Sequence, residues 1–96
     1  MPSDRRFIIE PEGLPDLAGM MIAMLDALRQ LGGSGSIQEI DETVIEMECV
    51  SEAEQAITMP NNEQRLKVNY YLAWARTYLR RGGGVENSAR GVWAIT

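Results

Sequence analysis

Histidine is absent from this 96-residue sequence, and cysteine occurs once, at Cys49. Without histidine there is no Ser-His-Asp or Cys-His catalysis, no imidazole metal ligand and no histidine pH switch. A single cysteine cannot form a disulfide within the chain, and a cysteine-based zinc site would need other ligands. Lysine also occurs once, at Lys67. No apolar run approaches the roughly 18 residues that suggest a membrane span. The opening MPSDRRFIIEPEG lacks the long apolar stretch and small-residue cleavage site of a signal peptide. A cytoplasmic protein with no membrane partner is the expectation, with Cys49 as a small packed side chain.

What remains is the composition of one small globular domain, with 45% apolar residues and a net charge of −5. The charge is unevenly placed. Residues 1–59 hold three basic and twelve acidic side chains, net −9. Residues 60–96 hold six basic and two acidic side chains, net +4. Such asymmetry within one small domain marks a functional face.

Residues 1–13 read as an N-terminal arm, ended by Pro11 and Gly13, and residues 14–96 as the domain proper. Leu17, Met20, Met21, Met24, Leu25, Leu28 and Leu31 have helical spacing, and Gly32 and Gly33 end that helix. The methionines belong to its core face. SIQE at 36–39 fits a capping box that opens a second helix with Ile37, Ile40, Val44 and Met47 inward. SEAE at 51–54 repeats the signal for a short third helix ending by Pro60. The carboxylates Asp41, Glu42, Glu46, Glu48, Glu52 and Glu54 follow no calcium-loop pattern and read as a solvated face. No metal site and no cofactor are expected.

A polar connector, MPNNEQ, leads into a long helix over about 64–81. Val68, Leu72, Ala75 and Leu79 form its core stripe. Asn69, Tyr70, Ala73, Arg76, Thr77 and Arg80 are assigned to the opposite arc, a set of side-chain types that read base edges in a DNA major groove. Arg65, Lys67, Arg80 and Arg81 would add phosphate contacts. Three glycines end the helix, and residues 85–96 read as a hairpin with Asn87, Ser88 and Arg90 in its loop. The fold expected is mainly α with a small β-hairpin (α+β), a winged helix-turn-helix with its basic part facing double-stranded DNA.

The last third, YLAWARTYLRRGGGVENSARGVWAIT, resembles the N-terminal winged-helix domain of Mrr-type restriction endonucleases. Trp74, Ala75, Arg76, Tyr78 and Leu79 match a Trp-Ala-Arg helix. Arg90, Gly91, Trp93, Ile95 and Thr96 match an Arg-Gly-x-Trp-x-x-Thr hairpin, and the two earlier helices extend the resemblance over about 14–96. Gly83-Gly84-Val85 departs from the family's Gly-Leu-Leu or Gly-Leu-Ile. The resemblance implies a target-recognition module for modified DNA, methyladenine included, in a restriction endonuclease whose covalently linked nuclease domain is absent. The fragment itself would be no enzyme, because Asp/Glu-x-Lys does not occur in it. Tyr70, Ala73 and Trp93 are the candidates for contact with a methyl group. Trp93 also has a structural reading, packing the hairpin on the core. Trp74 is expected to fill the seam between helix and arm, and Arg76 could instead tie helix to wing. The alternative function is a protein-interaction or homodimerisation winged helix without DNA binding.

Overall fold

The computed structural model describes residues 5–96. The first four residues of the expected arm lie outside the described residues. The elements run α1 (Leu17–Gln30), β1 (Ser34–Ser36), α2 (Ile37–Met47), α3 (Glu52–Gln55), β2 (Thr58–Met59), β3 (Asn62–Leu66), α4 (Lys67–Arg81), β4 (Val85–Ala89) and β5 (Val92–Ile95). The architecture of the described residues is α+β, with four helices and two small antiparallel sheets.

The starts of α1, α2 and α3 each have a local cause. The Asp16 carboxylate accepts from the Gly19 N–H at 3.0 Å and caps α1. Both expected capping boxes form. The Ser36 hydroxyl accepts from the Glu39 N–H while Glu39 reaches back to the Ser36 N–H, and Ser51 and Glu54 do the same for α3. Helix α2 closes with the same pair of hydrogen bonds as α1 and α4, but with a cysteine where they have a glycine. Cys49 takes φ +55°, its N–H donates to the Glu46 carbonyl, and the Val50 N–H donates to that of Ile45. This left-handed closure turns the Cys49 side chain outward, so the cysteine is exposed rather than packed.

The core is the meeting of α1, α2 and α4. Met20, Met24 and Leu28 face Ile40, Val44, Val68 and Leu72, all at most 1% exposed, whereas Ile37 and Met47, at the two ends of α2, are exposed and not inward as expected. Residues 5–13 have no helix or strand, yet Phe7 and Ile9 join this core. Gly19 allows the chain to cross α1 there, because a Cβ at this position would collide with the Arg6 carbonyl. Burying two side chains of so short a segment requires its backbone to be tied down. The Arg5 guanidinium is bidentate on Glu54 at 3.0 and 2.9 Å, and the Ile9 N–H donates to the same carboxylate at 3.1 Å. The Arg6 N–H donates to Glu48 at 2.7 Å.

The three-stranded sheet has the order β1-β5-β4. Ser34, Gly35 and Ser36 pair with Ala94, Trp93 and Val92, so the C-terminal hairpin is anchored beside the start of α2. The β4–β5 turn is at Arg90–Gly91, with Gly91 at φ +73°. Asn87 and Ser88, expected in a loop, therefore lie within β4. The second sheet, β2–β3, replaces the expected connector. Asn62 accepts from the Gln64 N–H at 3.0 Å, and the Lys67 N–H donates to the Ile57 carbonyl at 2.9 Å, closing the hairpin at its base. Helix α4 consequently starts at Lys67 rather than Gln64.

Candidate nucleic-acid interface

Helix α4 displays its side chains in three directions. Val68, Leu72, Ala75 and Leu79 are buried, as their spacing requires. Arg76 is buried beside them, at 7% exposure. It follows Leu72 by four residues and precedes Leu79 by three, which puts it only about 40° from Leu72 around the helix. Its placement on the outer arc was thus an error of angle that the spacing itself reveals.

The inner flank is organised by Asp41 of α2. Asn69 donates its Nδ2 to Asp41 Oδ2 at 2.9 Å. Arg76 Nη1 lies 3.7 Å from Asp41 Oδ1 in an ion pair whose side chains are each 9% exposed. Those two facing atoms have no hydrogen-bond partner among the described residues. Burial pushes the Asp41 carboxyl above its ordinary value, opposed by the Asn69 hydrogen bond and by the charges of Arg76 and Arg65. Burial likewise pushes Arg76 down, opposed by Asp41. A groove of about 520 Å³ opens over this cluster between α2 and α4, with Ile37, Ile45, Arg65 and Ala73 in its walls. Asp41, buried and paired, departs from the expected solvated acid face. Glu48 and Glu54, tied to the arm, depart with it.

Lys67 also turns inward, at 2% exposure. Its ammonium donates to the carbonyls of Glu10 at 2.6 Å, Gly13 at 2.7 Å and Pro11 at 3.4 Å. The turn that ends the arm presents these carbonyls to the first turn of α4. The only lysine is therefore a clamp on the arm and is withdrawn from the surface where a phosphate contact was expected.

The outer face carries Tyr70, Ala73, Trp74, Thr77 and Arg81. With Arg65 they line a shallow groove of about 240 Å³. Arg65 reaches it from β3, its guanidinium 5.4 Å from the Tyr70 ring centre. Thr77 donates its hydroxyl to the Ala73 carbonyl at 3.1 Å. Trp74, expected in the seam with the arm, is instead 39% exposed and meets Tyr78 at 5.8 Å between ring centres. Its position five residues before the core residue Leu79 points it away from the stripe, a signal present in the spacing.

At the hairpin, Trp93 packs against the core while Arg76 and Arg80 lie 5.6 and 5.9 Å from its ring. Arg76 thus touches the wing through this ring, and its ion pair runs to α2. Asn87 donates to the carbonyls of Ala89 at 2.8 Å and Val92 at 2.7 Å, holding the turn in shape. Ser88 and Arg90 are exposed near the tip. Arg65, Arg80, Arg81 and Arg90 are all exposed and have no carboxylate within ion-pair distance among the described residues. No helix among the described residues is long and apolar enough to cross a membrane.

Comparison with known proteins resolves the family. The model of the Mrr N-terminal domain matches residues 18–96, from the second residue of α1 to the end of the hairpin. The chain belongs to the Mrr N-terminal domain family. No curated protein and no solved structure matches it. The Mrr N-terminal domain is a part of a restriction enzyme that lies outside its catalytic part. The grooves and arginines above are therefore the candidate working surface of a restriction-enzyme accessory domain.

Proposed function

We propose that this Mrr N-terminal domain is a winged helix that binds double-stranded DNA in the cytoplasm for a restriction endonuclease, with a nuclease domain covalently linked in the full-length enzyme. Helix α4 enters the major groove, and the β4–β5 wing lies on the backbone or minor groove. The observation that carries this reading is the set of four exposed arginines, without an ion-pair partner among the described residues, around the outer face of α4 and at the wing tip, in a chain of net charge −5. The sheet order β1-β5-β4, with α2 and α4 between β1 and β4, is the connectivity such a wing needs.

In this reading Arg65, Arg80, Arg81 and Arg90 neutralise phosphates, with Ser88 beside them at the wing. Base edges fall to Tyr70, Ala73 and Thr77 on the outer face. A methyl group on a modified base such as methyladenine meets the apolar wall of Tyr70 and Ala73. Asn69 and Arg76 act from behind by fixing α2 against α4, Asn87 by holding the wing turn, and Lys67 by holding the arm.

The test is fluorescence anisotropy with matched duplexes that are unmodified, adenine-methylated or cytosine-methylated, across a salt series. Binding should weaken with a salt slope of about three to five phosphates. Tighter binding to one methylated duplex, persisting at higher salt, would identify a modification reader. Equal binding to all three would leave a DNA anchor. A second reading, a protein-interaction or homodimer surface, draws on the exposed Ile8, Leu14 and Ile22 at the N-terminal end. A stable dimer by light scattering with no duplex affinity at low salt would establish it in place of DNA binding.

A further inference from the structure

Three aromatic side chains of α4 lie outside its buried stripe. Tyr70, Trp74 and Tyr78 recur every four residues along one side of the helix away from the core stripe, at steps of about 6 Å. Trp74 and Tyr78 are 39% and 40% exposed, and Tyr70 is half-buried. Tyr70 meets Tyr71 edge-on at 5.0 Å, and Trp74 meets Tyr78 at a tilt of 31°. Trp74 and Tyr78 remain exposed in this arrangement, and the Arg65 guanidinium lies 5.4 Å from the Tyr70 ring centre.

Tyr70 and Trp74 line the same shallow groove, whose other residues include the small Ala73 and Thr77 and the cationic Arg65 and Arg81. No acid lies between Glu63 and Glu86 in the sequence to oppose those arginines. Exposed rings take up ligands with flat π faces, and paired guanidiniums take up phosphates. A chain of nucleotides offers both. In an intact duplex the base faces are stacked at about 3.4 Å and only their edges are available. The 6 Å pitch of the ledge fits bases that have left the stack.

We infer that the Tyr70–Trp74–Tyr78 ledge stacks against unpaired bases of the bound DNA, with Arg65 and Arg81 on the flanking phosphates. The inference rests on the reading of this face as a DNA surface, and it specifies an opened rather than a fully paired target. Mispaired and extruded bases leave the stack at a lower energetic cost, so they would be favoured.

The experiment uses the 96-residue chain with three labelled oligonucleotides: a perfect duplex, the same duplex with a short central bubble, and the single strand. Anisotropy should show the bubble bound about tenfold tighter than the duplex, the effect of one stacked base. Tryptophan emission should be quenched by the bubble. Trp74→Ala should remove the preference and most of the quenching while leaving duplex affinity within about twofold, and Trp74→Phe should restore the preference. Circular dichroism of each variant checks that the fold is kept.

Equal binding of bubble and duplex, or a preference that survives Trp74→Ala, would overturn the inference and leave the duplex reading standing. Binding of bubble and single strand without binding of duplex would keep the ledge and overturn the duplex reading. No binding of any of the three would overturn both.

Discussion

The inner flank of α4 and its outer face use the same residue type for opposite ends. Arg76 and Arg80 are one helical turn apart and lie at nearly equal distances from the Trp93 ring. Arg76 is buried and ion-paired with Asp41, whereas Arg80 is exposed and has no carboxylate beside it among the described residues. An arginine's role is thus set by its angle from the core stripe. At about 40° from Leu72 it becomes a strut between α2 and α4, and at about 80° it becomes free to meet an anion. The acidic half of the chain shows the same division. Asp16, Glu39, Asp41, Glu48 and Glu54 cap helices, hold the arm or face Arg76, while Glu42, Glu46 and Glu52 remain exposed. Much of the negative charge is therefore structural, and the outer arginines keep a positive face despite the net charge.

The largest effect should come from breaking the inner flank. Asp41→Ala removes the hydrogen bond from Asn69 and leaves the Arg76 guanidinium buried without its counter-charge. The expected loss is about 3–5 kcal/mol of stability by urea unfolding. Arg76→Met should also destabilise. The double variant Asp41→Leu with Arg76→Met should lose much less than the sum of the single changes, because no charge is then stranded. Additive losses would show that Asp41 and Arg76 do not act as a pair.

A smaller effect is expected where the arm is tied. Glu54 holds two nitrogens of Arg5 and the N–H groups of Ile9 and Ser51, so Glu54→Gln should cost about 1–3 kcal/mol. The Arg5 hydrogen bonds hold its carboxyl at about 2, below the ordinary 4.5. A lowered acid stabilises the fold fully above its ordinary value and less as protons bind. Glu54 should therefore contribute fully above about pH 4.5, with the contribution lost as pH falls towards 2. Asp41, raised by burial, runs the other way, because its protonation relieves a buried charge and gains stability as pH falls towards 3.8. Unfolding curves from pH 6 to pH 2 should thus steepen in their acid loss in Asp41→Asn and flatten in Glu54→Gln.

How much of this was legible in the sequence depends on whether the cause was local. Asp16, the two capping boxes, the glycines after Leu31 and Arg81, and the core stripe of α4 are all local signals, and the helices follow them. Ser34–Ser36 has no strand propensity. It is a strand because β5 returns beside it, a contact no local window contains. The β2–β3 hairpin was hidden for a related reason: its five β3 side chains are all exposed, so no alternation of apolar and polar residues announces it. Lys67 and Glu54 found their partners in the arm, more than 40 residues away in sequence. Arg76 and Trp74 are a different case, since their angles relative to Leu72 and Leu79 were available from the start.

The smallest change in stability and the clearest change in binding should come from the outer face. Arg81 is exposed, lines the shallow groove and has no carboxylate partner among the described residues, so Arg81→Ala removes no internal contact of consequence. Its unfolding free energy should stay within about 0.5 kcal/mol of the parent. Each phosphate contact removed should lower the slope of log affinity against log salt by about 1, and Arg81→Ala with Arg90→Ala should lower it by about 2. Arg76→Ala should show the reverse pattern, a large loss of stability with a salt slope unchanged under conditions where the variant is folded. If Arg76→Ala lowers the slope as Arg81→Ala does, the buried arginine swings out to meet DNA, and the division between inner strut and outer contact does not survive binding.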